Sequence, residues 1–566
     1  MKARLPVALV DSILIVSIGA VLALIVTGGG VYELSGLRVS AHHARNLILT
    51  TVLVGALRAF LAGSVPLFGW THLDLKSVSI RASRAVGWLH LRLAGLNRSS
   101  VRTTLLTLMV VSAAVTIANS WFYYGFATGD DVEVHEMALS VLFGWTDWEP
   151  WNLRNAFYPM TFIYPVQWLL YTIGERGEEA LVFSGRLVVW LFSAGSIVLV
   201  YAVAREIFGS MAVGTCAAAL LSTSHLHVTH ASSVLPRTVA ATFILLSLWV
   251  LCRFPTRKAL ASTAALALGI GASIRFSELI LVMCIVLYLC LYHRYTEGVL
   301  VGVVSIAFAA FIVAVTDLCF WGEPLFSFFN LFRYTILEGQ SSRGFQPAYY
   351  YLMSALSWGS PLLIFGVACA LRRHPREGLI LAVLPIALLS LLPHKEARYL
   401  VPVLPLVCIV SAKGIWDVIE GLQRGKTEHN ASTAIPAAFL ALLVVSLALE
   451  VDGYRFRRSE SAVDMARFIR DQEDVRTVAL QQVWRAGGSI YLWRVPQVLD
   501  IDHDRRAERD YVRSFFSGEA NQYVALQAQD VEQFGYGDLA AEYGYVEVRY
   551  AESQGAQGYR LFKQLP

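Results

Sequence analysis

Apolar runs of roughly twenty residues follow one another along most of this chain, and nothing else in it constrains the fold as much. A helix that crosses the hydrocarbon core of a bilayer needs about 20 such residues, and it alone satisfies its backbone N–H and C=O groups without help from water. Runs that meet the requirement lie near 6–27, 46–69, 103–125, 183–207, 211–228, 234–253, 259–274, 276–293, 297–317, 349–371, 376–393, 398–418 and 433–451. Composition agrees, since 56% of residues are hydrophobic and only 16% are charged, against roughly 25% charged in soluble domains. The sequence therefore predicts an all-α polytopic membrane protein with about 13 transmembrane helices. A net charge of +4 over 566 residues gives no reason to expect nucleic acid as a partner.

Orientation follows from where Lys and Arg fall in the short loops. With the N-terminus in the cytoplasm, the inside segments are 76–102, "RFPTRK", "YHRYTEG", "RRHPRE" and "EGLQRGKTEHN", and each carries basic residues. The outward segments are then 127–181, 222–237, 318–348 and "PHKEAR" at 393–398, together with everything past about residue 452. The first apolar run reads as a retained anchor rather than a cleaved signal, because it is too long and no small-x-small site follows it. Short loops and the lack of an ER-retrieval tail suit a prokaryotic plasma (inner) membrane. The seven cysteines sit mostly inside apolar runs without paired spacing, which argues against a disulfide framework or a zinc site.

Three domains are expected: an N-terminal two-helix extension with a basic cytoplasmic loop over 1–102, a catalytic transmembrane domain over 103–451, and a small extracytoplasmic α/β domain over 452–566. In the last, "SAVDMARFIRDQED" has the periodicity of an amphipathic helix, and "TVALQQV", "SIYLWRV", "QYVALQA" and "YVEVRYA" alternate as strands do. "VTGGGVYELSGLRVS" at 26–40 reads as a turn-rich hairpin between the first two spans.

Ionisable residues gather on the outward side. Asp130, Asp131, Glu133 and Glu136 occupy seven positions after a spanning helix, with Asp147 and Glu149 following among Trp145, Trp148 and Trp151. Such carboxylates can supply a general base or oxygen ligands for a divalent cation, Mg²⁺ or Mn²⁺; equally, Asp130 or Asp131 can cap the helix over "VEVHEMALSVLF". No residue is assigned to a metal, and no other cofactor is called for. Arg275 stands at a tight outward turn, and His394, Lys395, Glu396 and Arg398 crowd against hydrocarbon. Charge at that depth costs about 3 kcal/mol unless it reaches the interface, so these four form either a snorkelling cluster or a functional one. His225, His227 and His230 on a short loop read as hydrogen-bonded surface groups, with metal binding as the alternative.

At this point the segments themselves resemble a family. "GDDVEVHEMALSVLFGWTDWEPWNLRNAFYP" is similar to the first-loop signature of glycosyltransferase family 22, the lipid-phosphate-mannose-dependent mannosyltransferases of GPI-anchor and N-glycan assembly. "LPRTVAATFILLSLW", "GASIRFSELILV", "TDLCFWGEP" with "NLFRYTILEGQSSRGFQP", and "HKEARYLVPVLPL" line up with its further motifs in the family's order, covering about 103–418, and the last is the most specific. Departures are Asp131 where the family usually has Glu, Val239 and Ala240 where Asn commonly follows Arg-Thr, and the usual Tyr of the middle motif, which is either Phe320 or displaced.

The resemblance implies a GT-C fold and an inverting transfer of mannose from a polyprenyl-phosphate-mannose donor to a glycan or glycolipid acceptor at the outer membrane face. It implies Asp130, with Asp131 second, as the base, and Arg275, His394, Lys395 and Arg398, with Arg237 weaker, as the grip on the donor phosphate. Glu136, Trp148, Glu149, Arg154, Tyr158, Glu338 and Glu396 are expected to touch sugar or acceptor. The alternatives are transfer of another sugar such as arabinose or glucose, transfer to protein, or transport of lipid-linked saccharides. A transporter would place polar residues at mid-membrane depth, whereas here they collect on one side.

Overall fold

The computed structural model describes residues 30–34, 37–41, 65–67, 71–73, 85, 87–122, 126, 128–145, 149–255, 257–338, 345–424, 442–443, 445–446, 460–492, 494–518, 522–551 and 558–564. The apolar run at 6–27, residues 46–64 of the run at 46–69, most of 433–451, and Asp147 and Trp148 lie outside them, and within 46–69 Val65–Leu67 is a strand rather than helix. Two short antiparallel ribbons come first, β1 (Gly30–Leu34) with β2 (Leu37–Ala41) and β3 (Val65–Leu67) with β4 (Thr71–Leu73). The first is the hairpin expected at 26–40.

Helices follow: α1 (Arg98–Phe122), α2 (Gly129–Phe143), α3 (Tyr164–Thr172), α4 (Glu178–Phe208), α5 (Met211–Thr223), α6 (His225–Ala231), α7 (Arg237–Arg253), α8 (Lys258–Ile274), α9 (Leu279–Leu291), α10 (Tyr295–Trp321), α11 (Phe326–Phe332), α12 (Pro361–Arg373), α13 (Leu384–Leu389) and α14 (Leu404–Arg424). Among the described residues α1, over Arg98–Ile117, α4 and α10 are long and apolar enough to cross a bilayer, and α5 with α6 makes a fourth if that pair, bent by 61°, is one span. The run at 376–393 is interrupted by a π-helical turn over Gly378–Val383, with Pro385 just beyond it. Proline removes an N–H donor and clashes with the preceding turn, so a run of apolar letters need not be one straight helix. The expected loop histidines are another difference: His225, His227 and His230 are on α6, with His225 and His227 buried. His225 Nε2 donates to Ser357 O at 3.0 Å, and His227 Nε2 lies 2.8 Å from Ser193 Oγ.

The chain divides into two compact units. The first comprises 1–108, 200–226 and 347–454. Its helices α12 and α14 approach until backbones touch, because the contact is made by glycine: a Cβ on Gly414 would lie 1.9 Å from Gly366 O and 2.7 Å from Ala370 N. Small residues at such crossings are how helices pack where lipid provides no hydrophobic drive. His374 and Lys413 both pair with Asp417, at 3.1 and 2.6 Å.

The second unit comprises 109–199, 227–346 and 455–566. Here α7, α8 and α10 pack in sequence order; Gly269 faces Ser305 O and Gly271 faces Ala240 O, each too close for a side chain to enter freely. The C-terminal part adds α15 (Glu460–Arg470), β5 (Thr477–Gln481), β6 (Gln497–Ile501), α16 (Arg509–Ser517), β7 (Tyr523–Gln527), α17 (Ala528–Phe534), α18 (Tyr536–Glu542), β8 (Tyr545–Ala551) and β9 (Tyr559–Gln564). The strands form one mixed sheet in the order β6-β5-β7-β9-β8, parallel among β6, β5 and β7 and antiparallel beyond. "SIYLWRV" is a correction: Ser489–Leu492 is a helical turn, and the strand comes after it as β6.

Because side chains alternate across a strand, the sheet has two cores. Ala479, Val524, Leu526 and Phe562 pack against Val512, Phe516, Leu539 and Ala540 of α16 and α18. Val478, Leu480, Tyr523, Ala525 and Leu561 pack against Ala462, Met465, Ala466 and Ile469 of α15, and the same core takes in Val132 and Leu139 of α2 and Leu181 and Val182 of α4. The C-terminal sheet is thus built onto α2 rather than standing apart from it, which the change of composition at residue 452 did not convey. Glu178 and Glu179 of α4 pair with Arg470 and Arg467 of α15 on the same face.

Candidate active site

The acidic helix is α2. Its cap position is Thr128, not Asp130 or Asp131; both aspartates lie in the first turn, where the helix dipole favours negative charge. The helix ends on Gly144 in the left-handed region (φ 66°), whose N–H donates to Ser140 O. Asp130, Asp131 and Glu136 are all buried.

Segment 149–158 folds back over this first turn. Arg154 Nη2 donates to Asp130 Oδ1 at 2.5 Å, and Arg154 Nε donates to Glu133 Oε2. The N–H of Trp151 donates to the other Glu133 oxygen at 2.7 Å, and the guanidinium lies 5.2 Å from the centre of the Trp151 ring. Burial alone would lower the pKa of Arg154; the charges of Asp130 and Glu133 outweigh it and raise it. The Arg154 backbone is pinned in turn, its carbonyl accepting from Trp321 Nε1 at 3.2 Å, while Asn155 Nδ2 donates to Ser273 O at 2.6 Å. That bond ties the first loop to the end of α8, where the half-buried Arg275 stands in extended backbone. Arg275 and the fully buried Arg237 both lie within electrostatic reach of buried Glu278.

Asp131 does something different from Asp130. Wholly buried, it accepts the N–H of Val234 at 2.9 Å and acts on the Tyr158 hydroxyl, whose pKa is pushed well up by burial first and by Asp131 second. That hydroxyl has no hydrogen-bond partner among the described residues. Glu136 faces the backbone of Gly488: a Cβ there would lie 2.2 Å from Glu136 Oε1, and Gly488 is left-handed at φ 51°. Only glycine serves at such a point.

The structure thus brings Asp130, Asp131, Glu136, Arg154, Tyr158 and Arg275 into one unit around α2. It gives Glu149 and Glu338 exposed positions, and Glu338 is paired with Arg333 at 2.7 Å on the segment after α11. Trp148 falls outside the described residues. Among the described residues no group of three His, Cys, Asp or Glu has the geometry to hold a metal ion, and the place between Asp130 and Glu133 is taken by Arg154.

His394, Lys395, Glu396 and Arg398 belong to the first unit. Glu396 is their hub: Oε1 lies 2.9 Å from His394 Nε2 and accepts from Arg398 Nη2 at 3.0 Å, and Oε2 pairs with Arg398 Nε. The Glu396 carbonyl accepts from the buried Tyr351 hydroxyl at 3.3 Å, and Lys395 Nζ donates to Leu392 O. Lys395 is only 4% exposed, and burial lowers its pKa. A snorkelling lysine would reach water; this one is held in the protein.

Sequence reasoning placed Glu133 among the clustered carboxylates without foreseeing that it shares Arg154 with Asp130, and gave no role to Gly488. The spacing of Asp130 and Glu133 on one helical face was the available signal for the first. For the second it was the Gly-Gly pair in "VWRAGGS".

The architecture is that of a helical membrane protein of the GT-C class. ArnT from Cupriavidus metallidurans, solved in the apo state, superposes with a TM-score of 0.51 at 14% identity, covering 81% of this chain and 97% of that one; its structure bound to undecaprenyl phosphate gives 0.50. The profile of the Alg9-like mannosyltransferase family matches residues 130–492, more than half of the chain, and the chain belongs to that family. Alpha-1,2-mannosyltransferase ALG9 of Arabidopsis thaliana is 28% identical over 265 residues, 45% of each protein. GPI mannosyltransferase 3 of Yarrowia lipolytica is 25% identical over 340 residues, 56% of this chain and 64% of that protein. The chain thus spans less than two thirds of these curated relatives.

Proposed function

We propose that this protein is an inverting mannosyltransferase that takes mannose from polyprenyl-phosphate-mannose and passes it to a glycan or glycolipid at the extracytoplasmic face of a prokaryotic plasma membrane. The observation that carries the reading is Asp130: the family match opens on it, and it stands in the first turn of α2, oriented by Arg154.

In the reaction, the Asp130 carboxylate takes the proton of an acceptor hydroxyl as that oxygen attacks the anomeric carbon, and the bond from that carbon to the phosphate oxygen breaks. The polyprenyl phosphate leaves as an anion, so cations must meet the charge that grows on it. His394, Lys395, Arg398 and Arg275 serve this end, with Glu396 orienting His394 and Arg398. Asp131, spent on Val234, anchors the start of α2 and is the weaker base. Glu136, Trp148, Glu149, Tyr158 and Glu338 remain proposed contacts for sugar or acceptor, Arg154 acting through Asp130. A bundle of 13 spans with the N-terminus inside and residues past 452 outside accompanies this reading. Membranes containing the protein should transfer labelled mannose from synthetic polyprenyl-phosphate-mannose, and a folded protein that transfers none contradicts the reading.

A further inference from the structure

Beside the first turn of α2 the second unit holds a cleft of about 330 Å³. Thr128 and Gly129 form one wall; the other is the Trp484 indole, the Gln482 amide and the carboxylates of Asp500, Asp502 and Asp504. Gly129 immediately precedes Asp130, so the cleft begins one residue from the proposed base, whose own carboxylate is paired with Arg154 and does not line it. Its far wall is held in place by the backbone. Gln482, Gly487 and Gly488 all take left-handed φ values, and Gln482 Oε1 accepts from Gln527 Nε2 at 2.9 Å. Gly488 abuts Glu136, and the Trp484 side chain lies 3.8 Å from where a Gly129 Cβ would be. Arg485 stacks 5.2 Å from the Trp484 ring centre and steadies it.

The chemistry of the wall selects its occupant. Three carboxylates and no cation among the lining residues repel a phosphate or a carboxylate, so the cleft is unsuited to the charged end of a lipid-phosphate donor. A metal ion is not indicated, since the aspartates do not converge as a ligand set. A tryptophan side chain with hydrogen-bond acceptors around it fits a neutral hydroxylated ring, and a volume near the lower end of the range for ligand sites, roughly 300–1,000 Å³, holds one or two such rings. The three aspartates lie beyond residue 492, where the family match ends, whereas Gln482 and Trp484 lie within it.

We propose that this cleft is the acceptor subsite: Trp484 and the aspartates hold a neutral pyranose of the acceptor beside Asp130. The proposal rests on the transferase reading for the word acceptor, but binding can be measured without transfer. Full-length protein in lipid nanodiscs, free of glycoside detergent, is examined by saturation-transfer NMR with methyl α-mannopyranoside, methyl β-glucopyranoside, methyl β-galactopyranoside and methyl β-glucuronide. The expected result is transfer to at least one neutral pyranoside and none to the glucuronide. Trp484→Ala should abolish the signal, and the doubly substituted Asp502→Asn, Asp504→Asn protein should weaken it severalfold, its exposed side chains leaving the thermal midpoint unchanged. Absence of binding to any neutral pyranoside, equal binding by the variants, or binding of the glucuronide as strong as that of the neutral sugars overturns the proposal. In the transfer assay Trp484→Ala should raise the acceptor KM about tenfold with the donor KM held. Transfer with an unmoved acceptor KM removes the subsite and leaves the reaction standing. Pyranoside binding lost on Trp484→Ala, in a protein that transfers no mannose, keeps the subsite and removes the reaction.

Discussion

Arg154 decides how the acidic helix can exist at all. Two carboxylates on one face of α2, Asp130 and Glu133, share a guanidinium that is itself mostly buried, and removing one partner of such a group leaves the others uncompensated at a cost of about 3–5 kcal/mol. Arg154→Ala should therefore lower the thermal midpoint strongly and abolish transfer, while Arg154→Lys restores the charge without the two-pronged geometry and recovers only part of either; a lysine variant equal to wild type would show that the fork is immaterial. His135 makes a separate prediction. Wholly buried, with Nδ1 3.2 Å from Gln167 Nε2, it has a pKa held well below 6.5, by burial first and by Arg186 second. Its protonation thus favours the unfolded chain: the stability it supports is complete above about pH 6.5 and is lost as pH falls below that value toward the folded pKa. His135→Gln, neutral throughout, should flatten the fall in thermal midpoint between about pH 7 and pH 5.5, and an unchanged slope would contradict this.

At the scale of elements, helix packing in the first unit depends on glycine where α12 meets α14. Gly414→Ala places a methyl group into Gly366 O, an overpacking that costs about 1–3 kcal/mol or more. Gly421→Ala, in the same helix with nothing within 4 Å, should instead be neutral or stabilise by up to about 1 kcal/mol. Equal thermal midpoints for the two variants would show that the close crossing does not govern stability. Helices were the legible part of this fold, because an apolar run long enough to span has few other uses. The break at Gly378–Val383 and the burial of His225 and His227 were not legible, since both depend on what a neighbouring segment supplies. Strands were read where short runs of β-forming and apolar residues stand out, as in β5, β7 and β8. β9 was missed, and "SIYLWRV" was misread because its apolar residues face the core from a helical turn.

For the whole molecule, the acidic first loop and the cluster at 394–398 could be picked out because charge beside hydrocarbon demands a reason. What sequence could not give was the partnership of residues far apart in the chain: Asp130 with Arg154, Asp131 with Val234, Glu136 with Gly488. The last of these brings the C-terminal sheet onto the acidic helix α2, so that the segment that looked separable in composition packs in the same unit as that helix. The central assignment is that Asp130 removes the acceptor proton, and one measurement addresses it directly: the rate of labelled-mannose transfer from synthetic polyprenyl-phosphate-mannose by wild type, Asp130→Asn and Asp131→Asn proteins of matched thermal stability. Loss of a general base costs about 10²–10⁴-fold, so Asp130→Asn should fall by at least about a hundredfold and Asp131→Asn by less. Transfer that survives intact in Asp130→Asn, or no transfer from this donor by the wild type, would contradict it.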